Sequence, residues 1–188
     1  MSENKEFNGI ANYRAFLNGD NAALERLVRE YSDALIRYAY CYVKDATLAE
    51  DVMEDAFAKL IVKRKWFNDT EHLRAYLYKI VRNRCLDYIR RRKNSLSLDE
   101  IEQVMASDMG TQDGLLRTEN RNAVYKAMQN LPAQYREVLY LTYFEDYDAD
   151  ELARMLHRTK KQIYNLLHRA KNSLKDLLIK EGIFYEDL

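Results

Sequence analysis

The chain has 188 residues, 30 Lys+Arg balanced by 30 Asp+Glu, 47% hydrophobic residues, and only five glycines and one proline. Six Gly+Pro in 188 is about a quarter of the usual ~12% share, too few turn residues for a β-rich fold and far too few for collagenous or linker-like chains. The apolar content excludes global disorder, which leaves a soluble helical protein.

The N-terminal MSENKEFNGI carries acids where a signal peptide needs a basic region ahead of an apolar one. A short helix is expected near Phe7–Leu17. Asp20 can cap a second helix to about Lys44, with Leu24, Leu27, Val28, Tyr31, Leu35, Tyr38 and Tyr42 recurring at helical spacing. The longest apolar run of the first half, Tyr38–Val43, falls far short of the ~18 residues of a membrane span. Thr47 with Glu50 reads as a capping box opening a helix to about Trp66. Asp69 or Thr70 opens the next, whose buried face holds Leu73, Tyr76, Leu77, Ile80, Val81, Cys85, Tyr88 and Ile89. Cys41 and Cys85 have no CxxC spacing, so they read as reduced, buried thiols of a cytoplasmic protein.

Charge then divides the chain. Residues 1–93 carry 18 basic and 14 acidic side chains, residues 94–119 one and six, and residues 120–188 eleven and ten. A net +4 block, a net −5 connector and a net +1 block predict two helical domains, 1–93 and 120–188, joined by a flexible acidic linker, 94–119. None of the five glycines interrupts a helical pattern, and two of them, Gly110 and Gly114, fall in the connector. In the second domain, Glu119–Asn130 reads as a helix, and Pro132 sits in the first turn of one running to about Phe144. Asp148 with Glu151 opens a short helix ending near Leu156. Thr159 with Gln162 opens the last, to about Lys180, along a stripe of Ile163, Leu166, Leu167, Ala170, Leu174, Leu177 and Leu178.

Two short helices separated by His157, Arg158 and Thr159 match the spacing of a DNA-binding helix-turn-helix. Seven basic residues and one acidic one lie between Glu151 and Lys175, and Lys160, Lys161, Tyr164, Asn165, His168, Arg169 and Lys171 fall off the apolar stripe. Cations neutralise phosphates, while Lys161 and Asn165 near the helix start suit base edges in the major groove. The plain alternative is a solvated amphipathic helix. A second basic track, Arg82, Arg84, Arg90, Arg91, Arg92 and Lys93 against one Asp87, follows Trp66, Phe67, Arg74 and Lys79. Aromatics beside cations suit unstacked bases, although cations also favour a helix C-terminus. A third cluster, Glu50, Asp51, Glu54 and Asp55, suits a divalent metal, acid/base chemistry, a partner-docking helix or a merely exposed acidic face. There is no phosphate-binding glycine loop, and His72, His157 and His168 lack ligand spacing. The expectation is therefore no catalytic residue, no metal and no cofactor.

At this point the order of motifs is informative. Ala49–Phe57 (AEDVMEDAF), Leu73–Arg92 (LRAYLYKIVRNRCLDYIRRR) and Leu131–Glu145 (LPAQYREVLYLTYFE), followed by Glu151–Leu156 and Ile163–Lys171, resemble bacterial sigma factors of the sigma-70 family, in the small extracytoplasmic-function group. The resemblance spans roughly residues 15–178. It implies a non-enzymatic subunit with core RNA polymerase, promoter DNA and an anti-sigma factor as partners, and no small-molecule substrate or membrane insertion. It assigns Glu50, Asp51, Glu54 and Phe57 to docking on core polymerase. It assigns Phe67, Asn68, Asp69, Thr70, Arg74, Lys79, Arg82, Asn83, Asp87, Arg90 and Arg91 to the minus-ten element. It assigns Arg158, Lys160, Lys161, Asn165, His168 and Arg169 to the minus-thirty-five element. The chain departs from the family pattern at Glu54 (usually Gln), at Tyr76 (commonly Trp) and at His157, where Gly or Asn is usual and a left-handed backbone would be strained. An autonomous helix-turn-helix regulator and a metal-dependent nucleic-acid enzyme are the competing readings.

Overall fold

The structure, a computed structural model, describes residues 8–95 and 119–180, and every regular element among them is an α-helix. The chain falls into two compact units, Met1–Asp108 and Met109–Leu188. Of the expected acidic linker, 94–119, residues 96–118 lie outside the described residues, while 94, 95 and 119 belong to the flanking helices.

The first unit is built from α1 (Gly9–Leu17), α2 (Asn21–Val43), α3 (Ala46–Lys63) and α4 (Thr70–Ser95). The 3.6-residue stripe of α2 places Leu27, Tyr31, Leu35, Tyr38 and Ala39 in the core. They meet Val52, Phe57 and Leu60 of α3 and Leu73, Leu77, Tyr78 and Val81 of α4, all at most 5% exposed. Tyr38 sits at the centre, 4.9 Å from the ring of Tyr78 and edge-on to Tyr42 at 5.7 Å. Cys41 and Cys85 are both free and buried, and the Cys85 thiol donates to the Ala39 carbonyl at 3.8 Å.

Local chemistry sets the helix ends. The Asp20 carboxylate accepts from the Ala23 N–H at 3.2 Å, as its position predicts, and Lys44 closes α2 in the left-handed conformation. The start of α3 corrects the sequence reading. Asp45, not Thr47, is the N-cap, accepting from the Leu48 N–H at 3.0 Å, because an Asp with extended backbone immediately before the helix outcompetes a Thr that is already the second residue inside it. The helix also stops at Lys63, where Arg64 turns left-handed (φ 43°), so Trp66 lies in a loop and not in a helix. On α4 the buried face includes Tyr78, which the predicted stripe omitted. Tyr88, which the stripe included, is exposed, since among the described side chains of α4 beyond Cys85 none is fully buried and only Leu86 and Ile89 are half-buried.

The second unit comprises α5 (Glu119–Gln129), α6 (Ala133–Tyr143), α7 (Ala149–Leu156) and α8 (Lys160–Lys180). Pro132 is the N-cap of α6 and not within its first turn. The core gathers Met128, Leu131, Val138, Leu139, Tyr140, Leu152, Ile163 and Ala170. Arg136, only 5% exposed, donates to the carbonyls of Gln129 and Leu131, so a buried guanidinium satisfies the end of α5 and fixes how α6 follows it.

Candidate nucleic-acid interface

The helix-turn-helix forms as its capping residues dictate. Asp148 accepts from the N–H groups of Asp150 and Glu151 at 2.8 Å each, and Glu151 returns a carboxylate to the Asp148 N–H at 2.7 Å. Those backbone donors, Glu151's first, hold the Asp148 carboxyl below its usual range. Three residues past Leu156, Thr159 and Gln162 repeat the reciprocal box at 2.8 and 3.2 Å and start α8. Between them His157 adopts φ 53°, ψ 46°, and the next N–H, of Arg158, reaches back to the Ala153 carbonyl at 3.0 Å. A left-handed residue turns the chain sharply enough to set α7 and α8 at an angle, and here that residue is a histidine.

On α8, Ile163, Leu166 and Ala170 point inward, so 100° per residue puts Lys161, Asn165 and His168 on the opposite face. All six residues expected at the minus-thirty-five element are exposed. Their availability differs. Lys160 donates to Asp150 at 2.8 Å, and that hydrogen bond raises its pKa, so its charge ties the two helices together. His168 Nε2 lies 3.2 Å from the Asn172 amide nitrogen. Tyr164, 56% exposed on the same helix, is an aromatic that the resemblance had not assigned.

In the first unit, the eleven residues expected at the minus-ten element fall into three groups. Phe67 is a core residue, 5% exposed, between the rings of Tyr13 (5.6 Å) and Tyr76 (5.1 Å). Asp69 and Thr70 start α4. The Asp69 carboxylate accepts from the His72 N–H at 2.8 Å and pairs with the His72 ring at 2.8 Å, and these bonds lower its pKa. The Thr70 hydroxyl accepts from the Ile10 N–H at 3.4 Å. Asn68, Lys79, Asn83, Asp87, Arg90 and Arg91 are exposed, Arg74 and Arg82 half-buried, and Arg90 lies 3.4 Å from Asp87. The loop also exposes a large apolar side chain, Trp66, at 63%.

On α3, Glu50, Asp51 and Glu54 are exposed, whereas Phe57 is 4% exposed and shapes the helix from within. Asp55 pairs with Arg84 of α4 at 3.2 Å beside a groove of about 420 Å³ where Ala58, Val62 and Ile80 are lining residues, and Val62 is 77% exposed. Among the described residues no cluster of His, Cys, Asp and Glu is placed to hold a metal ion.

What sequence reasoning missed is the use of α1: it placed the helix near Phe7–Leu17 but not what the helix touches. Tyr13 and Arg14 reach the α3–α4 loop some fifty residues away, and no local pattern signals a contact of that separation.

Comparison with known proteins agrees in order and extent. Residues 27–95 match the family model described as Sigma-70 region 2, and residues 121–174 match Sigma-70, region 4. The chain is 25% identical over 170 residues to the ECF RNA polymerase sigma factor SigW of Bacillus subtilis (strain 168), covering 85% of this chain and 91% of that one. It is 27% identical over 160 residues to the RNA polymerase sigma-E factor of Streptomyces antibioticus, covering 85% and 87%. The fold is similar to CnrH in complex with the cytosolic domain of CnrY (TM-score 0.63, 21% identity, 92% and 97% covered). It is also similar to the sigma factor RpoE in complex with the anti-sigma factor NepR from Bartonella quintana (TM-score 0.60, 23% identity, 82% and 97% covered).

Proposed function

The chain belongs to the sigma-70 family, in its extracytoplasmic-function group, and on that premise we propose how its residues divide the work of directing promoter-specific transcription by RNA polymerase. It is a transcription initiation factor acting as a non-catalytic subunit in the cytoplasm, where polymerase works.

The exposed acids of α3, Glu50, Asp51 and Glu54, dock on core polymerase, with the neighbouring apolar Val62 groove extending the surface. The loop through Asn68 and the outward face of α4 with Lys79, Arg82, Asn83 and Arg90 take the minus-ten element. Unstacking a base costs a few kcal/mol, least at a weak A·T-rich step. Arg158, Lys161, Asn165, His168 and Arg169 take the minus-thirty-five element in the major groove. Lys160 supports this face through Asp150. Phe57 and Phe67 act from inside, holding α3 and the loop in shape. One solved relative is a sigma factor held by an anti-sigma factor, and an anti-sigma protein is the regulator we expect here. Domain boundaries at 1–93, 94–119 and 120–188 complete the reading.

The observation that carries this assignment is the doubly capped turn from Asp148 to Gln162, which presents a basic helix face opposite a fully apolar one. The test is to mix the protein with core RNA polymerase, isolate the complex and map start sites across genomic fragments. A stable complex with new, discrete starts is expected. No complex, with tight DNA binding by the protein alone, would replace this reading by an autonomous regulator binding as a dimer.

A further inference from the structure

Residues 64–69, between α3 and α4, have no regular hydrogen-bond ladder of their own. Their backbone is instead held by α1. The Tyr13 hydroxyl donates to the Lys65 carbonyl at 2.9 Å. Arg14 Nη2 donates to the Asn68 carbonyl at 2.7 Å and lies 3.4 Å from that of Phe67. The Arg14 guanidinium also lies 5.1 Å from the centroid of the Trp66 ring. In return Arg64 Nη2 donates to the Leu17 carbonyl at 2.7 Å, at the other end of α1.

Hydrogen bonds to carbonyls fix a loop's path whatever its side chains do. Free loop residues must otherwise be ordered when a ligand binds, which lowers affinity. A guanidinium suits the task because its planar fork reaches successive carbonyls and stacks on an aromatic face, whereas an ammonium offers a single point charge. We propose that Arg14 is a positioning residue for promoter reading: from α1 it presets the backbone of residues 64–69, so that Trp66 and Asn68 meet unpaired minus-ten DNA in one geometry. This rests on the reading that the loop faces the minus-ten element.

The chain has one tryptophan, and it is in this loop. Its fluorescence therefore reports the clamp without any DNA. Full-length wild type, Arg14→Ala, Arg14→Lys, Tyr13→Phe and Asn68→Ala are compared free and bound to core polymerase. In Arg14→Ala, acrylamide quenching of Trp66 rises and promoter opening slows about three- to tenfold, the range of an ordinary net hydrogen-bond contribution where water can replace the lost donor. Core affinity stays at the wild-type value, and the thermal midpoint of the first unit falls by only a few degrees. The penalty for base changes in the minus-ten element shrinks, and that for changes in the minus-thirty-five element does not. Arg14→Lys recovers part of the rate. Tyr13→Phe, which keeps its ring in the core, shows a smaller defect of the same kind. Wild-type opening by Arg14→Ala beside a defective Asn68→Ala overturns the clamp alone. Wild-type opening by both removes the loop from the minus-ten element, and the clamp's role goes with it.

Discussion

His157 is the residue at which the helix-turn-helix departs from what backbone sterics prefer, and His157→Gly measures the cost. A left-handed conformation costs an L-residue about 1–2 kcal/mol, towards the lower end for histidine, which visits this region more readily than most. Among the described residues the exposed His157 ring has no hydrogen-bond or ion-pair partner that its removal would forfeit. Glycine relieves the strain but gives back about 0.5–1 kcal/mol through the greater freedom of its unfolded chain. The net gain is about 0.5 kcal/mol, or roughly 2–4 °C in the midpoint of a unit of this size. The two units supply separate signals, because the sole tryptophan lies in the first. Calorimetry of the full chain should show the second unit melting higher in His157→Gly, with the Trp66 fluorescence transition unmoved. His157→Ala retains the Cβ and should show no gain. A midpoint for His157→Gly at or below that of His157→Ala would refute the reasoning, since the left-handed turn would then carry no strain for glycine to relieve.

Gly9→Ala tests helix propensity against packing. Alanine is the better helix former, yet a Cβ at Gly9 would meet Tyr31 Cε2 at 2.9 Å, so overpacking of about 1–3 kcal/mol should win and the Trp66 transition should fall. For the helix caps, Asp148, Asp20 and Asp69 all have carboxyl pKa values lowered in the folded state by hydrogen bonds to neighbouring groups. Their contribution is thus fully present above the unfolded carboxylate pKa and is lost as pH falls through the lower folded values. An acid limb below about pH 4 is expected in circular dichroism of the full chain, and Asp148→Asn, which keeps a capping oxygen but cannot titrate, should flatten the second unit's share of it. On α8, Asn165→Ala should cost about 1–3 kcal/mol at one base position and leave others unchanged. Lys161→Ala should instead weaken holoenzyme binding on all sequences and reduce its salt dependence, and promoter-variant titrations at two ionic strengths separate the two effects.

The elements legible in the sequence are those fixed by local rules. Asp20, Asp148 and the Thr159–Gln162 pair each sit where a cap belongs, and the structure closes every one of those bonds. The α7 and α8 stripes need only a 3.6-residue period, and the left-handed His157 needs only a three-residue turn. The misses have non-local or competing causes. Asp45 and Thr47 are both capping residues two positions apart, and the choice falls to Asp45, which has the extended backbone. Whether Phe57 and Phe67 face outward or inward depends on what other helices bring to them: Tyr13 and Tyr76 enclose Phe67 from α1 and α4. Tyr78 belongs to a face broadened by packing against Tyr38, which periodicity alone counts as polar. The grip of Tyr13 and Arg14 on the loop has no sequence signature.

The chemistry of α8 explains why such a protein needs a larger assembly to read DNA. At its start Lys160 is engaged by Asp150, while Arg158 just ahead of the helix and Lys161 and Arg169 on it are exposed, and these three are the phosphate contacts of the proposed function. Neutralising roughly three phosphates gives a salt slope near −2.7, so affinity falls about 40-fold between 50 and 200 mM salt. A contact set that small holds DNA weakly at physiological ionic strength. Joining it to a second weak reader raises the effective concentration of each for its own element towards the millimolar range, provided something fixes their spacing. Core polymerase supplies that spacing in the proposed function. In the proposed function promoter choice then depends on both elements at once, each weak reader needing the other. In the proposed function the Asp150–Lys160 bond sharpens this division: it takes a cation out of general affinity and gives it to the geometry of the turn that carries Lys161 and Asn165.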